Sequence, residues 1–223
     1  MLNKVFVKMY SEMPFDRTEM LRYMGVSGKS EDMDALLEEC LKECGGAFAY
    51  RVCYREFELT KKDSGINLGF AESDSATIKK RLQGAEKIIL FAATVGLNID
   101  RLITKYSSIS PAKAVAFQAI GAERIESLCN AFCKDMKDAA SRRGLFTGVR
   151  FSPGYGDIPL DMQKEIFAVL DCSRKIGLSL NSSLLMTPTK SVTAIIPLSA
   201  AKCGENEKSC EVCEKTDCAF RKK

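Results

Sequence analysis

The 223 residues predict an α+β fold, a mixed or antiparallel sheet packed with helices and followed by a cysteine-rich C-terminal tail. Three observations carry that expectation. Segments of helical period and segments of strand period are intermixed without strict alternation, which argues against a doubly wound sheet. A continuous apolar run, IILFAA at 88–93, suits a strand buried on both faces. One long helical pattern over 111–142 supplies a structural spine.

Taken in order, residues 31–44 (EDMDALLEECLKEC) carry apolar side chains at helical spacing with acids near the start, and read as a helix. Phe48, Tyr50, Val52 and Tyr54 alternate as in a half-buried strand. Residues 77–84 form a short helix stopped by Gly84, and the strand at 88–93 turns through Thr94, Val95 and Gly96 into a helix beginning near Asn98. The long helix starts at Pro111 and presents Phe117, Ile120, Ile125, Leu128, Phe132 and Met136 along one face. Cys129 and Cys133 lie near that face and read as small core side chains. Later, Met162, Ile166, Val169 and Leu170 repeat at helical spacing until Gly177, after which 178–186 and 191–197 read as strands separated by Thr187, Pro188 and Thr189.

The composition limits the function classes. Thirty-three basic and 29 acidic residues leave a net charge of +4 with the signs mixed along the chain, so no nucleic acid is expected as partner. The N-terminal MLNKVFVKMYSEMPF has only the short apolar cluster Val5, Phe6 and Val7, unlike a signal peptide, and no run has the length of a membrane span. A cytoplasmic location is expected, with no membrane partner. In a reducing compartment the ten cysteines are thiols, ligands or reactive groups rather than a disulfide framework. With no histidine in the chain, a histidine base or a Ser-His-Asp triad is excluded. No catalytic side chain is assigned.

Two domains are expected, 1–198 and 199–223. The second is polar and holds Cys203, Cys210, Cys213 and Cys218 in a segment with almost no aliphatic side chains. Such a tail is disordered or held by a metal. Its irregular spacing suits an iron–sulfur cluster, with zinc and an unligated tail as the alternatives.

The run GVRFSPGYGDIP at 148–159 has three glycines and two prolines, which removes it from any helix interior and makes it a shaped loop. Arg150 presents a planar fork for a carboxylate, the glycines allow close approach to backbone, and Tyr155 presents a ring face to a cationic or apolar group. These suit a zwitterionic ligand with a positive centre. A salt bridge beside a tight turn would use the same residues.

RFSPGYG at 150–156, followed after a helix by SLLMTPTKSVTAIIP at 183–197, resembles the AdoMet-binding reactivation domain of cobalamin-dependent methionine synthase. The elements in common are Arg150, Pro153, Gly154 and Tyr155, then Met186, Pro188, Ser191 and Val192. The run LFAATVGLNIDRLI at 90–103 is similar to stand-alone members of the family, so the resemblance covers most of 1–198 and not the tail.

That resemblance implies a reactivation factor for a separate corrinoid methyltransferase. Cobalamin carried by the partner is occasionally oxidised to inert cobalt(II), and rescue takes a methyl group from AdoMet and one electron from a flavodoxin or ferredoxin. The partner would be a corrinoid-binding protein or a truncated methionine synthase. Arg150 would hold the AdoMet carboxylate, the backbone around Ser152 and Gly154 would line the ligand, and Tyr155 would sit near the sulfonium and the corrin. Met186 and Pro188 would set shape. For an acidic group that helps bind AdoMet in the family, the candidates are Glu123 and Glu126, where two exposed helix carboxylates would look the same. In the full-length enzyme a proline follows the tyrosine, and then a cysteine-proline-acid-histidine run, whereas Gly156, Asp157, Ile158 and Pro159 stand here. A cluster held by the tail could deliver the electron. The alternatives are a non-catalytic corrinoid-protein partner and an iron–sulfur electron carrier that uses the same fold.

Overall fold

The computed structural model describes residues 4–201 except 12, 27, 29, 47, 63 and 64. The chain begins with β1 (Phe6–Met9), α1 (Arg17–Tyr23), α2 (Glu31–Glu43) and β2 (Arg51–Glu58). The short strands β3 (Thr60–Lys62), β4 (Gly65–Asn67) and β5 (Glu72–Ser73) precede α3 (Ala76–Arg81) and β6 (Lys87–Thr94). Two consecutive helices follow, α4 (Asn98–Ile109) and α5 (Pro111–Ser141), and then β7 (Phe146–Thr147). Beyond the 148–159 loop come a 3-10 turn (Leu160–Met162), α6 (Gln163–Leu170), α7 (Cys172–Ile176), β8 (Ser179–Leu180), β9 (Met186–Thr187) and β10 (Ser191–Ser199).

The main sheet is five-stranded, in the order β1-β2-β6-β10-β7, and every pairing in it is antiparallel. Its central strand β6 is apolar from Ile88 to Ala93 because both of its faces are covered. Ile89, Phe91 and Ala93 join the core formed with α2 and α5, while Ile88, Leu90 and Ala92 join a second core with α3, α6 and α7. Period-two alternation thus feeds two cores from one strand, which is why the sequence shows no polar face there.

Helix α5 is the spine. Pro111 occupies its first turn, where a missing N–H is harmless, and Phe117, Ile120, Leu128 and Phe132 are fully buried against the sheet. Its glycine, Gly121, sits at a notch: a Cβ there would lie 2.9 Å from Cγ of Lys190 and 3.1 Å from Cγ1 of Ile99. The lysine stem crosses the helix where only a glycine leaves room.

The helices expected over 31–44, 77–84, from Asn98 and over 111–142, and the strands 51–58 and 87–94, agree with the expected segments within a few residues. The helix expected up to Gly177 is instead broken into α6 and α7 at Asp171, whose backbone is left-handed with φ 51°. One expected strand does not form as read. Residues 178–186 are not a continuous strand, because β8 ends at Leu180 and the chain turns back into β9. Asn181 drives that turn, its side-chain oxygen accepting from the amides of Ser183 and Leu185, both at 2.9 Å. Among the described residues, no helix is long and apolar enough to cross a membrane.

Candidate functional site

The 148–159 loop hangs from the edge of the main sheet. Its N-terminal half is stitched to β10: Gly148 N donates to Pro197 O (2.9 Å), Phe151 N to Ile195 O (3.1 Å) and Ile195 N to Phe151 O (2.8 Å). The tip closes on itself through Gly154 N to Ile158 O (3.0 Å) and Ile158 N to Tyr155 O (3.1 Å). Gly154 and Gly156 both adopt left-handed backbone, with φ of 88° and 61°. Between them Tyr155 stands 72% exposed, while Pro153 and Ile158 are buried beneath it and Ser152 is half-buried.

Arg150 points onto α5. Its Nη2 donates to Glu126 Oε2 at 2.7 Å and lies 3.5 Å from Asn130 Oδ1. Its side chain is 22% exposed, and of the three nitrogens of this guanidinium only Nη2 has a hydrogen-bond partner among the described residues. Nη1 and Nε are therefore available to a ligand. One guanidinium nitrogen thus makes the salt bridge to Glu126.

Glu123, the other acidic candidate, is not an exposed helix carboxylate. It is 2% exposed and forms a bidentate pair with Arg124, from Nε to Oε2 (2.5 Å) and from Nη2 to Oε1 (2.6 Å), while also accepting from Ser127 Oγ (2.5 Å). Arg124 in turn donates to the carbonyls of Met13 and Pro14, both at 2.7 Å, and lies 4.4 Å from the Phe15 ring centroid. That network locks the N-terminal segment against α5, and the carboxylate is fully occupied. Glu126, whose side chain is 44% exposed, is the acid that meets Arg150.

The second motif packs near the other end of the same helix face. Thr189 N donates to Asp100 Oδ2 (3.0 Å), and its hydroxyl bonds the other oxygen of that carboxylate. Lys190 Nζ donates to Gln118 Oε1 at 2.5 Å, and burial lowers the lysine pKa. Ser191 Oγ lies 2.9 Å from Thr94 Oγ1 and 2.8 Å from Pro188 O, and the Thr187–Pro188 bond is cis. Gln118, Glu126 and Asn130 lie on one row of α5 at multiples of four residues, so the two motif segments meet one helix face about 12 Å apart, at 1.5 Å of rise per residue.

Asp157, legible in the sequence only as a departure from the family pattern, is a structural anchor. It accepts from Ser75 Oγ (2.6 Å), Ala76 N (2.7 Å) and Thr77 N (3.1 Å) at the start of α3. The Ser75 hydroxyl first, and then Thr77, hold its carboxyl well below the usual carboxylate range. A Ser-x-x helix start at 75 is readable, but nothing in sequence links it to a residue 82 positions away.

Cys203, Cys210, Cys213 and Cys218 lie outside the described residues. Among the described residues, no group of three or more His, Cys, Asp or Glu side chains is arranged to hold a metal ion. Among the described residues no cysteine forms a disulfide, and Cys129 is buried while Cys133 is half-buried.

Comparison with known proteins agrees with this fold. The chain is similar to a solved structure described as "Crystal Structure of the MetH Reactivation Domain bound to AdoHcy", with a TM-score of 0.58 and 16% identity over 87% of this chain and 78% of that one. At that identity the likeness establishes the fold. No curated protein matches the chain. The family model for "Vitamin B12 dependent methionine synthase, activation domain" matches residues 58–202, a span that contains both motif segments and the helix face between them. Since that match takes in well over half of the sequence, the chain belongs to the family of activation domains of vitamin B12-dependent methionine synthase.

Proposed function

We propose that the protein binds AdoMet on the 148–159 loop and supports reductive methylation of cob(II)alamin held by a corrinoid methyltransferase. The observation that carries this reading is Arg150. It is turned onto α5 by Glu126 through one nitrogen, with two nitrogens left for a ligand carboxylate. A carboxylate on Nη1 and Nε would form the parallel paired bonds that make arginine selective for planar anions.

The remaining loop groups fit the rest of the ligand. Left-handed Gly154 and half-buried Ser152 let the backbone approach closely, and Tyr155 exposes a ring face to a sulfonium. Glu126 stands beside Arg150 as a counter-charge for an ammonium group. The methyl group comes from AdoMet, which leaves as AdoHcy, and one electron reduces the cobalt before transfer. Every contribution of this chain is one of binding and orientation: Arg150 fixes one end of the ligand, Tyr155 holds the sulfonium side toward the partner, and no side chain moves a proton. The partner is a corrinoid-binding protein or a truncated methionine synthase, with flavodoxin or ferredoxin as electron donor. Cys203, Cys210, Cys213 and Cys218 hold an iron–sulfur cluster, or zinc, in the tail; iron, sulfide and zinc analysis after anaerobic purification tests this, and finding none of the three overturns it.

The test of function uses a cobalt(II)-loaded corrinoid domain of methionine synthase, titanium(III) citrate as reductant, and AdoMet. Loss of the cobalt(II) paramagnetic signal that requires both AdoMet and this protein is the expected result. A rate unchanged by adding the protein would refute the proposal.

A further inference from the structure

We propose that Asp157 is a positioning residue for the ligand loop: by fastening the loop's second half to the start of α3, it holds Tyr155 in its ligand-facing place. The inference rests on the AdoMet reading of the loop.

The loop is held at two ends. Its first end is backbone, through the Phe151–Ile195 pair on β10. After Ile158 the chain enters the 3-10 turn and α6, so between Phe151 and Ile158 no ladder bond restrains the tip. Asp157 supplies the missing restraint. Ser75 is already the N-cap of α3, accepting from Ile78 N at 3.1 Å. Asp157 then takes the next two orphan donors, the amides of Ala76 and Thr77, together with the Ser75 hydroxyl. Three first-turn amides are thus satisfied by two side chains from distant parts of the chain.

Gly156 shows how closely the loop is drawn in. A Cβ at that position would lie 2.7 Å from Thr77 Oγ1. With Gly156 pressed on Thr77 and Gly154 closed onto Ile158, Tyr155 is the tip residue between two fixed points, and its ring is exposed. An aromatic ring that must meet a ligand while surrounded by solvent loses less entropy on binding when its backbone is held beforehand.

The test is a double-mutant cycle read by calorimetric titration of AdoMet into the intact protein, with Asp157→Ala, Tyr155→Ala and the double variant. Asp157→Ala is expected to weaken AdoMet about tenfold in the native background and less than about twofold when Tyr155 is already Ala, because its effect passes through that ring. Asp157→Asn, which retains one acceptor oxygen, gives a smaller loss. Amide hydrogen exchange provides a readout independent of ligand: Gly154 and Ile158 should exchange faster in Asp157→Ala while β6 and β10 stay protected. Equal losses in both backgrounds, an Asp157→Ala affinity within twofold of wild type, or unchanged exchange at Gly154 and Ile158 would overturn the inference. If wild type binds AdoMet and Arg150→Ala abolishes it while Asp157→Ala does not weaken it, this inference fails alone; if wild type does not bind, both fail.

Discussion

Arg150 Nη2 reaches Glu126 Oε2 at 2.7 Å across 24 positions of sequence, so the 148–159 loop takes its orientation from the middle of the longest helix. The pair is partly exposed, with 22% and 44% of the two side chains accessible, so its contribution to stability is small while its effect on aim is large. Glu126→Gln is therefore expected to change unfolding free energy by less than about 1 kcal/mol. AdoMet affinity should fall several-fold, since the guanidinium loses the partner that holds it. Chemical denaturation alongside calorimetry separates the two effects.

The Arg124–Glu123 pair should behave in the opposite way. Both side chains are buried, at 0% and 2% exposure, and both are hydrogen-bonded. Removing one partner leaves an uncompensated buried charge, so Glu123→Gln or Arg124→Met is expected to destabilise the fold by about 3–5 kcal/mol. Arg124→Met also releases the carbonyls of Met13 and Pro14, and limited proteolysis should cut near those residues first. Replacing both members by apolar residues of similar volume should recover much of the loss.

Gly156→Ala places a side chain on left-handed backbone, at φ 61°, and against Thr77 Oγ1. A cost of roughly 1–3 kcal/mol is expected in thermal unfolding from the backbone and the contact together. Adding Thr77→Ala should return only the part due to the contact. Full rescue by Thr77→Ala would show that the backbone conformation carries no penalty, contrary to this account.

Alkaline pH should weaken the fold through its buried thiols. Burial pushes the Cys40 thiol up to about 11 and the Cys129 thiol up to about 12, so the folded state keeps protons that the unfolded chain gives up near pH 8.5. Above that pH the unfolded state binds fewer protons, and stability falls by up to about 1.4 kcal/mol per pH unit for each group. Lys190, whose pKa is lowered by burial, works in the other direction, so the informative quantity is a difference. Cys129→Ala should flatten the decline between pH 8.5 and 10 relative to wild type in denaturant titrations. At neutral pH, alkylation mapped by mass spectrometry should reach half-buried Cys133 before Cys40, Cys44, Cys53, Cys129 or Cys172.

Much of this architecture is written locally in the sequence. Helix α5 and strand β6 are visible because long periodic or continuous apolar runs reflect burial directly, and the 148–159 loop is visible because glycine and proline punctuate it. Helix α1 is not, since seven residues capped by Asp16 are too few to establish a period. The hairpin of β8 and β9 fails for a related reason: Asn181 imposes a side-chain turn inside a segment whose apolar residues resemble a strand. In the 148–159 loop the motif singles out Arg150, but the sequence does not say which of Glu123 and Glu126 meets it. That choice depends on the neighbouring Arg124, which turns inward to the carbonyls of Met13 and Pro14 and takes Glu123 with it. Asp157 was illegible as an anchor because its partners belong to a helix start far upstream.

The central claim is that Arg150 receives the carboxylate of AdoMet, and calorimetric titration of AdoMet into wild type and Arg150→Ala tests it most directly. Saturable binding by wild type, weakened at least about 100-fold in the variant, is the expected result, as for loss of a paired charge-assisted contact. Absence of binding by folded wild type, or equal binding by both proteins, would contradict it.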